Sequence, residues 1–194
     1  MISTENNPGI QDGYLATAIR CLSPNINQRP SGQAISLLVI HNISLPPGKF
    51  GTGCVQSFFT NQLDPSQDPY FHTIAGLKVS AHLFIERDGA ITQFAPFDAR
   101  AWHAGVSAFN GIANCNDYSI GIELEGCDNI AYTDAQYEVL ARVSDEIMRA
   151  YPEITLERIV GHNEIAPDRK TDPGEAFDWS RYRASVLAAI SGRV

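Results

Sequence analysis

Cysteine, positive charge and long hydrophobic runs are all scarce in this 194-residue sequence. Its four cysteines have no CxxC spacing and are too few for a disulfide framework in a chain of this length. No stretch approaches the ~20 apolar residues of a membrane span. The polar start, MISTENNPGIQDG, lacks the basic and apolar regions of a signal peptide, which predicts a cytoplasmic protein without a membrane partner. We expect four reduced thiols, at Cys21, Cys54, Cys115 and Cys127.

The charge balance is acidic, which excludes one class of partner. Fourteen Lys and Arg residues against 22 Asp and Glu residues give a formal net charge of −8. No basic run interleaved with aromatic residues occurs, so we do not expect the protein to bind nucleic acid. With 44% hydrophobic and 19% charged residues, the chain can bury a core. Its length predicts one domain, residues 1–194.

Short apolar runs rich in β-branched residues predict the strands of a buried sheet. The run ISLLVI lies between turn-forming segments and ends just before His41. Asp88 and Gly89 separate two β-prone runs and predict a hairpin with a two-residue turn. The predicted strands are Ile35–Ile40, Ala81–Glu86, Ala90–Phe94, Tyr118–Leu124 and Arg158–Val160.

Three segments predict helices. The short apolar segment of residues 55–63 is long enough for one or two helical turns. Thr133 and Gln136 have the capping-box spacing and start a helix that runs to about Tyr151. Asp178 can cap a last helix, and its apolar side would carry Tyr182, Val186, Leu187 and Ile190. Strands mixed with helices predict an α/β fold, in which a central mixed β-sheet is flanked by helices.

Two histidines and an aspartate have the pattern of a zinc site. His41 and His162 each follow an apolar strand, and Asp172 stands ten residues after His162 in a proline-flanked loop. Two imidazoles and one carboxylate form a three-ligand set that leaves a fourth position for water, as in catalytic zinc sites. A histidine at the end of a buried strand is more often structural, and spacing alone leaves three competing ligands: His72, His82 and His103.

Glu123 and Lys170 are the candidates for acid–base and charge-stabilising roles. Lys170 lies two residues from Asp172 and could face a carbonyl oxygen as negative charge develops on it, although a solvated loop lysine is an equal alternative. Glu123 and Glu125 point to one face of their strand, where carboxylates are costly unless they are paired or functional. Either could accept a proton from an attacking water. The alternative is an edge strand with a solvated face.

Four ordered segments between residues 35 and 174 carry a resemblance to a known family. They are SLLVIHNISLPPGKFG, VSAHLFIERDGAITQFAPFDARAWHAG, CNDYSIGIELEG and IVGHNEIAPDRKTDPG. Together they resemble the zinc-dependent N-acetylmuramoyl-L-alanine amidases, whose fold is shared with the peptidoglycan-recognition proteins. The similarity is greatest to the cytoplasmic AmpD-type branch, which acts on 1,6-anhydro-N-acetylmuramyl peptides.

The resemblance implies a role for each candidate. His41, His162 and Asp172 would be the ligands of one zinc ion per chain, with Glu123 as the general base and Lys170 as the group that stabilises the tetrahedral oxyanion. It also implies that His72 is a loop residue and that His82 is structural.

The resemblance further implies contacts with a muropeptide. Trp102 and His103 would contact the sugar and the first amide, and Asn42 the peptide backbone. The segment FNGIANCND has no basic residue where related sequences often have one, so recognition of the peptide carboxylates is expected to be arranged differently here. The nearest basic residues for those carboxylates are Lys78, Arg100 and Arg169.

The implied function is hydrolysis of the amide between N-acetylmuramic acid, or its 1,6-anhydro form, and L-alanine in bacterial cell-wall recycling. The substrate would be a small muropeptide and the protein a monomer. Two alternatives are a non-catalytic peptidoglycan-binding module, since one fold can serve both purposes, and a zinc peptidase that cuts within the stem peptide.

Overall fold

A six-stranded mixed β-sheet forms the centre of the molecule. The computed structural model describes residues 9–192. The spatial order of the strands is β6-β2-β5-β3-β4-β1; β6, β2, β5 and β3 run parallel, β4 is antiparallel to β3, and β1 is parallel to β4. The strands are β1 (Ile19–Arg20), β2 (Leu37–Ile43), β3 (Leu83–Ile85), β4 (Ile91–Gln93), β5 (Ser119–Glu125) and β6 (Ile159–Gly161).

Helices and shorter elements surround the sheet. The helices of the described residues are α1 (Cys54–Phe59), α2 (Phe71–Ile74), α3 (Asp134–Ala150), α4 (His162–Ile165) and α5 (Trp179–Ser191). Three short antiparallel pairs join Ile10–Gln11 to Tyr14–Leu15, Ile26–Gln28 to Ala99–Ala101, and Ala108–Phe109 to Ile112–Ala113. Single turns of 3₁₀ helix cover Pro65–Gln67, Cys115–Asp117 and Leu156–Arg158.

The predicted fold class is confirmed, and each face of the sheet has its own cover. Side chains alternate across a strand, so Ile40 and Ile122 face the cluster under α3 and α5. Val39 on the same strand faces the opposite side with a second apolar cluster. His41 and Glu123, which are paired in register on β2 and β5, share that second side.

The two long helices begin where the sequence predicts. The Gln136 backbone N–H donates to Thr133 Oγ1, and the Thr133 N–H donates to Gln136 Oε1, which completes the capping box of α3. The Arg181 N–H donates to Asp178 at the start of α5. Leu187 was expected on the apolar side of α5 but is 49% exposed, because the buried stripe of this helix passes through Tyr182 and Val186.

The hairpin turn differs from the predicted two-residue turn. The Gly89 N–H donates to Glu86 O, and the Glu86 N–H donates to Ala90 O, so the loop has three residues, with Gly89 at φ 89°. Both sides of Arg87 are held, since its N–H donates to Glu125 Oε2 and its carbonyl accepts from Thr133 Oγ1. A turn followed by a left-handed glycine is the next most common hairpin connection.

Three predictions concern the cysteines, membrane-spanning helices and the ends of the chain. Four cysteines were expected to be reduced, and all four are free thiols. Among residues 9–192, no helix has the length and apolar character to cross a membrane. Most of the polar start, and the ends of the predicted domain 1–194, lie outside the described residues.

Candidate active site

Three predicted ligands meet at one edge of the sheet. His41 Nδ1 lies 2.9 Å from His162 Nδ1, and Asp172 Oδ2 lies 3.1 Å and 3.0 Å from these two nitrogens. The approach follows from the topology: β2 and β6 are parallel neighbours with Gly161 opposite Ile40, so the next residues of both strands emerge side by side. Both imidazoles are buried. The sequence predicts that His41 lies at the end of its strand, and this is wrong because β2 continues to Ile43.

The loop that carries Asp172 is tied to the body of the protein. The Asn163 N–H donates to Asp172 O at 3.0 Å. Pro173 O accepts from Asn42 Nδ2 at 3.0 Å and from the Tyr132 hydroxyl at 2.8 Å. Asn42 Nδ2 also donates to Asp128, so the peptide contact predicted for Asn42 would use its side-chain oxygen. These bonds hold the carboxylate beside the two histidines.

The protonation of the three groups suits a divalent metal such as zinc. His162 Nε2 lies 3.1 Å from Ala104 O, and a carbonyl oxygen can only accept, so Nε2 carries a hydrogen and the neutral form of the ring has its lone pair on Nδ1. Burial lowers the pKa of His41 to about 4. Burial opposes ionisation of Asp172, but its close contacts with both histidines hold the pKa of this carboxyl well below its usual range. Neutral imidazoles and an ionised carboxylate are the forms that bind metal.

Glu123 is placed beside the metal-ligand candidates with an unpaired oxygen. It is the register partner of His41 on the neighbouring strand and is only 9% exposed. Its Oε2 has no hydrogen-bond partner among residues 9–192. Burial, with the negative charge of Asp172, raises the pKa of Glu123 well above its usual value, while Lys170 opposes the shift. A raised pKa makes the ionised carboxylate a stronger base, so once ionised Glu123 can accept a proton and return it.

Glu125 shares the face of Glu123 but is fully used by the fold. Its Oε1 accepts from the Gly51 N–H, and its Oε2 from the Arg87 N–H. The strand that carries both glutamates is central and buried over its whole length, so the edge-strand alternative is wrong. The structure thus separates two glutamates that the sequence leaves equivalent.

Two of the three candidate ligands, His162 and Asp172, line a cleft of about 650 Å³. Its polar side carries His162, Asp172, Glu123 and Lys170. Lys170 is half-buried rather than a fully solvated loop residue. The opposite wall is apolar and includes Leu45, Phe58 and Phe59, which also belong to the hydrophobic cluster beneath β3. The cleft has the size and mixed lining that are typical of sites for small molecules.

The other predicted substrate residues are divided between this cleft and its surroundings. Trp102 and His103 line it. Lys78 lines a smaller neighbouring pocket of about 150 Å³. Arg169 donates to Ala104 O and Val106 O at 2.7 Å each, and Arg100 pairs with Asp117. The muropeptide contacts of these residues stay predictions.

Of the competing histidines, none joins the three-donor group. His72 is exposed, but it lies on α2 and not in a loop, so that expectation is wrong. His82 is buried, and its Nδ1 accepts from the Gly121 N–H at 3.0 Å while its Nε2 contacts Ala99 O at 3.0 Å, as suits a structural residue. Burial lowers the pKa of His82 to about 3. His103 contacts His41 on the side away from Asp172.

Several residues that support the site were missed from the sequence. Ala104 acts through its backbone carbonyl, which no residue type can signal. Asn116 Oδ1 accepts from the N–H groups of His103 and Ala104 at 3.1 and 2.8 Å, a long-range contact without a local pattern. One signal for these contacts was available. Gly121 interrupts its strand, and a glycine inside a strand often marks the close approach of another group, here the His103 ring.

Comparison with known proteins adds independent findings. The family model described as N-acetylmuramoyl-L-alanine amidase matches residues 31–175. A relative from Citrobacter freundii, the 1,6-anhydro-N-acetylmuramyl-L-alanine amidase AmpD, is 55% identical over 177 residues, which are 91% of this chain and 94% of the relative. The crystal structure of a selenomethionine AmpD derivative matches with a TM-score of 0.89 at 55% identity, covering 91% of this chain and 98% of that chain.

A more distant solved structure is also similar. It is a complex of the N-acetylmuramyl-L-alanine amidase AmiD from E. coli with the substrate anhydro-N-acetylmuramic acid-L-Ala-D-gamma-Glu-L-Lys. It is 26% identical with a TM-score of 0.57, and the match covers 83% of this chain and 65% of that chain.

Proposed function

The chain belongs to the N-acetylmuramoyl-L-alanine amidase family, and we propose that its substrate is a 1,6-anhydromuropeptide. The protein is an amidase, and the bond it cuts joins the lactyl group of 1,6-anhydro-N-acetylmuramic acid to L-alanine. The products are the free sugar and the intact peptide, as cell-wall recycling requires. The names of the AmpD relative and of the AmiD complex support this substrate.

The observation that carries the proposal is the meeting of three donor atoms beside a buried carboxyl oxygen that has no partner among residues 9–192. The three donor atoms lie within 4.8 Å of one another, and they come from His41, His162 and Asp172. Glu123 stands on the adjacent strand and lines the same cleft as Asp172. A binding-only protein has no need of this costly arrangement, since a buried carboxyl group without a partner is unfavourable.

We further propose one zinc ion per chain, held by His41, His162 and Asp172. Three protein ligands are typical of catalytic zinc sites, whereas structural sites are normally closed by four. Zinc bound there would supply Lewis-acid chemistry, polarising the scissile carbonyl and lowering the pKa of a water toward neutrality.

The chain's own groups divide the remaining work. Glu123 Oε2 accepts a proton from the attacking water and returns it to the alanine nitrogen as the amide bond breaks. The Lys170 ammonium group faces the substrate oxygen as it becomes negative. Trp102, half-buried on the cleft, offers an aromatic face for the sugar ring.

Product analysis of a synthetic anhydromuropeptide tests the proposal. Mass spectrometry should find free anhydro-sugar and intact peptide. A shortened peptide would support the peptidase alternative, and unchanged substrate with retained binding would support the binding module. Treatment with a chelator should abolish turnover, and added zinc should restore it. The same assay with the reducing-end sugar measures the preference for the anhydro form.

A cytoplasmic location and a monomeric state complete the proposal and stay predictions. Cell fractionation followed by immunoblotting tests the first. Light scattering coupled to size-exclusion chromatography tests the second, with about 21 kDa expected for one chain.

A further inference from the structure

A line of polar contacts leads from His41 away from the metal-ligand candidates. His41 Nε2 lies 2.9 Å from His103 Nδ1. On the far side of the His103 ring, Nε2 lies 3.1 Å from Ser119 Oγ. Both nitrogens of His103 are therefore occupied inside the protein, so a muropeptide in the cleft would meet the carbon atoms of its ring.

The position of the His103 ring is determined by its surroundings. It lies directly over Gly121 on β5, where a Cβ atom would stand 2.5 Å from ring atoms Cγ and Nδ1. The backbone N–H of His103 is held by Asn116 Oδ1. Any side chain at position 121 would displace the ring, so β5 is shaped to receive it.

One placement of the ring hydrogens on His41 and His103 leaves a lone pair on His41 Nδ1 for a metal. If His41 Nδ1 is to offer a lone pair, the ring hydrogen must be on Nε2, and it is then donated to His103 Nδ1. The hydrogen of His103 is consequently on its Nε2 and is donated to Ser119 Oγ. A serine hydroxyl can accept in this way and still donate elsewhere.

We propose that His103 is a positioning residue that accepts the Nε2 hydrogen of His41 and thereby fixes the tautomer and ring orientation of this zinc ligand. Ser119 in turn fixes His103. The role rests on the zinc site of the proposed function. The same segment supports the second histidine, because the carbonyl of the next residue, Ala104, accepts from His162 Nε2. Partners of this kind orient ligands in metal sites, and their loss lowers metal affinity.

Zinc affinity tests the role without relying on turnover. Competition with a chromogenic chelator should give a dissociation constant about 10- to 100-fold weaker for His103→Phe, which keeps a ring but no acceptor. His103→Asn should recover most of the affinity, because its amide oxygen stands near the position of Nδ1. Tyr182→Phe is the control: it removes a buried hydrogen bond between Tyr182 and Ser144 in the cluster on the other face of the sheet, and it should bind zinc as the parent protein does.

The outcomes separate this role from the proposed function. Tight zinc binding by the parent protein together with equal affinity in folded His103→Phe would overturn the role of His103 alone. A parent protein that bound no zinc would overturn the metal site and this role together. If His103→Phe does not fold, ¹⁵N NMR of the zinc-loaded parent decides: protonated Nε2 on both His41 and His103 supports the role, and a hydrogen on His103 Nδ1 refutes it.

Discussion

Replacing Glu123 with glutamine should stop catalysis and, at the same time, stabilise the metal-free protein. The change keeps the shape of the side chain but removes its ability to carry a proton. Positioned acid–base groups contribute about 10²- to 10⁴-fold to rate, so kcat should fall by a factor in that range. Zinc content should stay unchanged, because Glu123 is outside the three-donor group.

The stability change follows from the environment of the carboxyl group. Burial raises the pKa of Glu123 in the folded protein, so the folded state holds this proton more tightly than the unfolded state. Stability is then lost as the pH rises through the ordinary glutamate range toward the folded pKa, by about 1.4 kcal/mol for every pH unit that separates the two pKa values. Glutamine removes this loss. The metal-free variant should unfold at a higher temperature than the parent at pH 7, with the difference shrinking toward pH 4.

Two measurements check this prediction. Calorimetry of the metal-free protein across this pH range measures the stability change, and steady-state kinetics of the zinc-loaded form measure the loss of catalysis. The matched control is Glu125→Gln, whose oxygens both accept backbone N–H groups; it should lose stability and retain most of its rate. The reasoning fails if Glu123→Gln turns over within tenfold of the parent, or if it is less stable than the parent at pH 7.

Three more outcomes are expected. Lys170→Met should lower kcat by about 10²- to 10³-fold with little change in KM, because its charge stabilises the developing oxyanion more than the bound substrate; unchanged kcat would exclude this role. Asn42→Ala removes the hydrogen bond to Pro173 O in the Asp172 loop and a second one to Asp128, so unfolding should become about 1–3 kcal/mol easier and zinc binding weaker, measured by denaturation and metal titration. Leu140→Ala in the fully buried face of α3 should cost about 2–5 kcal/mol by denaturant unfolding and leave zinc affinity intact.

The sequence was informative where a local pattern has one physical meaning. The capping box at Thr133 and the apolar stripe of α3 predicted the longest helix, since both are read over a few neighbouring residues. Histidines that follow apolar strands pointed to the edge of the sheet where His41 and His162 meet. The order of the strands was not predicted, because pairing joins segments such as β2 and β5 that are about 80 residues apart.

The sequence was less informative where distant groups decide between equal local choices. Glu123 and Glu125 have the same strand, face and chemistry, and only the backbone N–H groups of Gly51 and Arg87 distinguish them. The hairpin loop is one residue longer than predicted because the backbone of Arg87 is held by contacts from β5 and from the start of α3. The hydrogen bonds from Arg169 to the carbonyls of Ala104 and Val106 have no local signal either, and its muropeptide contact stays a prediction.

The apolar wall of the cleft has a consequence for how the amidase can diverge. Leu45, Phe58 and Phe59 contact the cleft and are also part of a folding core. Cutting back a buried phenylalanine costs about 3–5 kcal/mol, a large part of a domain's total stability. Variants that widen this wall for a bulkier muropeptide would therefore need compensating substitutions elsewhere. Evolution of substrate range should proceed more easily through the exposed loop around Leu77 and Lys78 than through the aromatic pair.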